Sequence, residues 1–286
     1  MSIWIQAARL RTLPAALCPV LVGCSLAADD GVLHPVSAAA ALAGAVIIQI
    51  GTNFANDYFD FVNGVDNDSR IGPARATQSG AVSPAAMKAA FIASFAMLVP
   101  VVAYLAYRGG WPIAALGAVS VAAGILYTGG PRPLGYMGLG DVLVLVFFGP
   151  VAVGGTYYVQ ALDLPVESLA AGLAPGLLST AILVVNNLRD MDADRTTGKN
   201  TLAVRLGPGF ARAEYAACIA GAAAVAAWFG ANGRPWVLLA AFSTLASWPM
   251  LSSMWKESGR ELDKNLPRTG RLLVLYSVLF AAGWGI

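Results

Sequence analysis

Charge is scarce in this chain. Asp, Glu, Lys and Arg make up 12% of its 286 residues, about half the share in a soluble domain. So few charges cannot solvate the surface of a globule this long, which excludes an ordinary water-soluble fold. The net charge is only +2, which excludes the basic footprint of a nucleic-acid binder. Histidine occurs once, at His34, so no His-based metal site can form. Cys18, Cys24 and Cys218 each lie in an apolar stretch and form no CxxC pair. They read as small buried hydrophobes.

What the chain has is apolar length: 57% of its residues are hydrophobic. A spanning helix needs about 20 apolar residues. Nine candidate spans follow, at 13–28, 36–59, 84–107, 111–128, 140–161, 166–188, 210–230, 234–251 and 271–286. The expected fold is therefore all-α and polytopic, one transmembrane domain over 1–286. Residues 1–12 read as an interfacial lead-in, with Trp4 and Ile5 beside Arg9 and Arg11. No small-residue cleavage site follows the next apolar run, so a signal peptide is not expected. Trp111, Trp228, Trp236 and Trp248 fall near span ends, where indole rings anchor at headgroup level.

The loops orient the spans. With the N-terminus in the cytoplasm, 16 of the 18 basic residues fall on that side. Only Arg108 and Arg234 fall on the other, and the C-terminus ends there. This is a strong positive-inside bias.

Two acidic clusters then share the cytoplasmic side. The second span ends in "NFANDYFDFVNGVDND" and the sixth in "NNLRDMDADRTTGKN". If the second helix continues through Asp60, then Asn53, Asn56, Asp57 and Asp60 share a face at i, i+3, i+4 and i+7. Asp190 and Asp194 likewise share a face, while Asp192 points elsewhere. Carboxylates at a helix C-terminus repel one another and the negative end of the helix dipole. A cation relieves both effects, and an all-oxygen donor set favours Mg²⁺. Arg70, Arg75, Arg189, Arg195 and Lys199 supply charges suited to phosphate oxygens. Together these features predict a diphosphate site at the membrane surface. The later run "KESGRELDKN" (256–265) reads as a solvated cytoplasmic loop.

These residues resemble the UbiA superfamily of intramembrane aromatic prenyltransferases. Its first motif, NDxxDxxxD, is matched by Asn56, Asp57 and Asp60. Gly64 stands where the last Asp would fall, and Asp66 and Asp68 come slightly later. The second motif, DxxxD, is matched by Asp190 and Asp194. "GPARATQSG" (72–80) and "YTGGPRPLGYMGLGD" (127–141) are similar to the menaquinone branch, which prenylates 1,4-dihydroxy-2-naphthoate.

The resemblance implies nine helices bundled around a central cavity, in an integral protein of the bacterial plasma membrane. It implies Mg²⁺ held by Asn56, Asp60, Asp66, Asp190 and Asp194. A polyprenyl diphosphate would be bound with help from Asn53, Arg70, Arg75, Asn187, Arg189, Arg195 and Lys199. The second substrate would be an aromatic acceptor, and the tail would lie among membrane lipid. Asp57 and Tyr127 would shape or deprotonate the acceptor, and Arg132 would hold its carboxylate. Nucleic acid is not an expected partner. Three alternatives stay open: a 4-hydroxybenzoate acceptor, a CDP-alcohol phosphotransferase and a membrane transporter. The second lacks its DGxxAR-type run here. The third expects its site near the bilayer midplane.

Overall fold

The computed structural model describes residues 3–66, 72 and 74–286. The chain runs α1 (Ile3–Ala7), α2 (Leu13–Asp29), α3 (Pro35–Val62), α4 (Pro84–Gly109), α5 (Trp111–Leu126), α6 (Gly140–Phe147) and α7 (Pro150–Ala161). It continues with α8 (Val166–Thr196), α9 (Leu202–Ala231), α10 (Leu238–Ser243), α11 (Trp248–Lys256) and α12 (Asn265–Trp284). The nine expected spans are all present as helical segments. The fifth is broken at Phe148 and Gly149 into α6 and α7, and the eighth is built from α10, α11 and short 3₁₀ turns. Among the described residues, seven segments are long and apolar enough to cross a membrane. The other two are α5, with only 16 residues, and α12, which carries Arg268 and Arg271 in its first turns.

Local chemistry sets the helix starts. Pro35, Pro84, Trp111-Pro112 and Pro150 open helices, where proline's missing N–H costs nothing. Ser83 and Thr201 cap α4 and α9 by accepting the N–H groups of Ala86 and Val204. Such caps contribute about 1 kcal/mol each. α8 packs against α2, α6, α7, α9 and α12. Its small residues Ala171, Ala174 and Ala181 are wholly buried there, among Val22, Val153, Tyr215 and Leu273. The outer surface is apolar instead: Met97 is 65% exposed, Phe242 64% and Trp248 75%.

The end of the bundle expected outside the cytoplasm is closed by its own polar groups. Arg234 pairs with Asp29 and donates to the Trp284 carbonyl. Arg108 donates to the Gln160 carbonyl, and the Tyr157 hydroxyl to Asp30. The two basic residues on that side are thus spent on joining helix ends.

Candidate active site

α3 does continue through Asp60, but the four residues of its polar face turn to different partners. Asn53 turns toward the N-terminal segment, where its amide donates to the Ala8 carbonyl and the Thr12 hydroxyl at 3.0 and 3.1 Å. The Asn56 carbonyl oxygen accepts from the Thr128 hydroxyl at 2.8 Å. Both oxygens of Asp57 accept backbone N–H groups, from Thr77 at 3.0 Å and Ala76 at 3.1 Å. Asp57 therefore anchors the segment after residue 74 onto the helix. Asp60 accepts from Arg75 at 2.9 Å and from the Tyr136 hydroxyl at 2.6 Å.

The departure at Gly64 has a structural sense. Its φ of +72° turns the chain back, so that the Asp66 N–H reaches the Asp60 carbonyl at 3.0 Å. An L side chain would strain that turn. Asp66 then pairs with Arg75 at 3.1 Å. Arg75 is buried between Asp60 and Asp66, and its Nη1 finds no acceptor among the described residues.

α8 runs two turns beyond the expected span, so Asp190 and Asp194 are still helical. Gly198, at φ +76°, stops the helix and returns the chain. The Lys199 N–H then meets the Asp194 carbonyl at 2.9 Å, and its ammonium lies 3.6 Å from Asp194 Oδ1. Arg189 is fully engaged: it grips Asp190 with two bonds at 2.8 and 2.6 Å, and reaches Asn186 and Asp263 at 2.8 Å. The last contact corrects the reading of 256–265 as merely solvated. That segment forms a 3₁₀ turn that lies on α8, buries Leu262 and delivers Asp263 to Arg189.

The loop between α5 and α6 joins the two clusters. Its Tyr136 donates to Asp60, while the Lys199 ammonium sits over its ring at 5.9 Å from the centroid. The Tyr136 carbonyl also accepts from the Asn200 N–H at 3.0 Å. Burial, followed by the charge of Asp60, pushes the Tyr136 hydroxyl above the ordinary tyrosine range. Burial also raises Tyr127, with Asp141, Asp60 and Asp194 adding to it. Both phenols are thus proton donors at neutral pH. Asn63 donates to the Thr128 carbonyl at 3.0 Å, a further tie between α3 and this loop. Tyr136, Thr128 and Asn63 escape a reading of motif spacing. The signal for Tyr136 was a second tyrosine in the Gly/Pro-rich run that also holds Tyr127.

The remaining candidates differ in exposure. Asn187 is buried on α8. Arg195 is exposed and pairs with exposed Asp192 at 3.5 Å, away from Asp194. Arg132 is exposed on the α5–α6 loop. Arg70 lies outside the described residues.

The donor chemistry fits a hard divalent cation. Asp57, Asp60, Asp66, Asp190 and Asp194 are buried, while the cations among them are Arg75, Arg189 and Lys199. Asp194 feels the charges of both Asp190 and Asp60. Its Oδ2 is buried with no hydrogen-bond partner among the described residues. A buried carboxylate oxygen without a donor is costly, and metal coordination removes that cost. Among the described residues, no three of His, Cys, Asp and Glu converge enough to hold a metal alone. Mg²⁺ characteristically uses one or two carboxylates and completes its shell with waters and substrate phosphates.

An all-helical bundle with paired acidic helix ends defines a class of intramembrane enzyme that handles a diphosphate. The model of the UbiA prenyltransferase family matches residues 16–279, and the chain belongs to that family. The 1,4-dihydroxy-2-naphthoate octaprenyltransferase of Escherichia coli (strain K12) is 39% identical over 98% of this chain and 94% of its own. The protein of the same description from Mycobacterium tuberculosis is 40% identical over 97% of this chain and 95% of its own. The solved structure of a UbiA homolog from Archaeoglobus fulgidus bound to DMAPP and Mg²⁺ superposes with a TM-score of 0.68. It covers all of both chains at 16% identity and shares the fold.

Proposed function

We infer that this chain is a 1,4-dihydroxy-2-naphthoate polyprenyltransferase. It joins the polyprenyl group of a polyprenyl diphosphate to the naphthoate ring, releasing diphosphate and CO₂ and giving demethylmenaquinol. The observation that carries this reading is the likeness, at 39% identity over 98% of the chain, to a protein described by that activity.

The residues support a chemical course. Mg²⁺ held by Asn56, Asp60, Asp190 and Asp194 would neutralise the diphosphate as it leaves. Arg75 Nη1 and the Lys199 ammonium offer further donors to its oxygens. The allylic C–O bond breaks, and its electron pair leaves with the diphosphate. The ring carbon that bears the carboxylate supplies the pair for the new C–C bond. The pair of the old C–CO₂ bond returns to the ring as CO₂ departs. No proton leaves that carbon, so no base is required there. This agrees with Asp57 being occupied by the N–H groups of Ala76 and Thr77. The apolar outer face suits a site whose prenyl tail lies in lipid.

In this reading both clusters and the N-terminus face the cytoplasm of a bacterial plasma membrane, and the C-terminus lies outside. The division of the basic residues, 16 against 2, supports it. The test is to incubate purified protein with Mg²⁺, a polyprenyl diphosphate, and either 1,4-dihydroxy-2-naphthoate or 4-hydroxybenzoate, and to identify the product by mass. The expected product is the decarboxylated, prenylated naphthoquinol. Faster prenylation of 4-hydroxybenzoate would overturn the acceptor assignment.

A further inference from the structure

One buried acid lies outside both carboxylate clusters. Asp141, in the first turn of α6, is 5% exposed. Neither of its carboxylate oxygens finds a hydrogen-bond partner on another described residue. Its surroundings make this harder to bear. Glu214, on α9, is close enough to feel its charge, and Cys218, one helical turn further on, feels both. Two neighbouring acids without a cation repel in a medium of low dielectric. A ligand that brings an O–H group would give the Asp141 carboxylate the donor it lacks.

The place adjoins the reaction site. A Cβ on Gly140 would lie 2.9 Å from the Tyr127 hydroxyl, so the start of α6 packs directly on that phenol. The Tyr127 hydroxyl in turn feels Asp141, Asp60 and Asp194 together. Asp141 and the metal-side carboxylates thus approach one phenol. The naphthoate has two ring hydroxyls. The 1-hydroxyl is ortho to the carboxylate and satisfies itself internally, as in salicylate. The 4-hydroxyl has no internal acceptor.

We propose that Asp141 binds the aromatic acceptor, its carboxylate accepting a hydrogen bond from the 4-hydroxyl of the naphthoate. The proposal rests on the acceptor reading above. It gives the orphaned carboxylate a donor. The contact orients the ring; the 1-hydroxyl, ortho to the carbon that bears the carboxylate, is the group that feeds electron density to it.

The test compares wild type, Asp141→Asn and Asp141→Leu on 1,4-dihydroxy-2-naphthoate and on 1-hydroxy-2-naphthoate, which lacks the 4-hydroxyl. Wild type should prefer the diol. The variants should lose about 10- to 100-fold in kcat/KM for the diol, the range of one hydrogen bond to a charged group. They should also lose most of the preference, while the KM for prenyl diphosphate stays within about twofold. An unchanged preference in an active variant would overturn the assignment, as would a rise confined to the prenyl diphosphate KM. If neither variant folds, the carboxylate is a structural element and the proposal fails. A wild type that prenylates neither naphthol refutes the acceptor class, and this assignment with it. A diol-active wild type with unaltered variants refutes only the role of Asp141.

Discussion

The Tyr136 hydroxyl lies 2.6 Å from the Asp60 carboxylate, and this bond reaches across from one acidic helix end toward the other. The same ring lies beneath Lys199, the partner of Asp194. A loop residue therefore sets the spacing of two clusters separated by about 130 positions in the chain.

Removing that hydroxyl tests the bridge. Tyr136→Phe should lower turnover by about 10- to 100-fold, the worth of a hydrogen bond to a charged group. The protein should remain folded, and Tyr136→Ala should do worse because Lys199 also loses its platform. Steady-state kinetics beside a thermal melt in detergent would check this. Wild-type turnover in the Phe variant would remove Tyr136 from the site.

Tyr136 also sets an alkaline limit. Its folded value lies above the ordinary 10.0, through burial first and then Asp60. The protonated phenol is favoured in the fold, so its contribution is full below about pH 10. That contribution fades as pH rises through the folded value. Wild type should lose thermal stability above about pH 10 more steeply than Tyr136→Phe. Equal slopes would show that the phenol and Asp60 are not coupled.

Divalent metal should be required for turnover. Chelation should abolish product formation and Mg²⁺ should restore it. Mg²⁺ with inorganic diphosphate should also raise the melting temperature of wild type, by mass action on the folded state. Asp194→Asn should lose both responses. Full turnover in excess chelator would sink the metal-bridged site.

Asp263 and Arg189 provide a graded pair. Asp263→Ala breaks a contact whose acid side chain is 40% exposed, so the loss should be about 1 kcal/mol or less. Arg189→Ala leaves Asp190 buried without its partner, which should cost about 3–5 kcal/mol. Asp192→Ala, at an exposed position, should be silent. Chemical or thermal denaturation would rank them. Equal effects at Arg189 and Asp192 would mean that the Arg189 network is not structural.

Asp57→Asn should loosen the segment that carries Arg75. The variant keeps one oxygen where two accepted the N–H groups of Ala76 and Thr77, and it loses the charge. A destabilisation of about 1–3 kcal/mol is expected. The KM for prenyl diphosphate should rise, because Arg75 depends on that segment. If instead the acceptor alone is affected, Asp57 faces the aromatic ring.

Period and spacing were enough to read the helices and their two acidic ends. Asp60 and Asp194 are legible because a helix repeats its face every three to four residues, and α3 and α8 are both regular there. The fate of each neighbour was not legible. Asn53 and Asp57 share the face of Asp60 by spacing, yet one binds the N-terminal turn and the other a loop that returns from residue 74 onward. Arg189 looks like a phosphate ligand in sequence, but Asp263 arrives from 74 residues away to engage it. Tyr136 and Asp141 belong to no periodic pattern, and only the packing of α6 on the α5–α6 loop gives them neighbours.

The apolar outer surface inverts the usual map of tolerance to substitution. In a water-soluble enzyme, positions as exposed as Met97 or Phe242 accept lysine most freely. Here such a lysine must enter lipid, at about 2.5–3.5 kcal/mol near the middle of a span. Adding surface charge, the common remedy for a poorly soluble protein, would therefore disrupt this one along most of its length. The charges this protein carries lie instead at its helix ends and loops, and most of those buried among them gather at the two acidic helix ends.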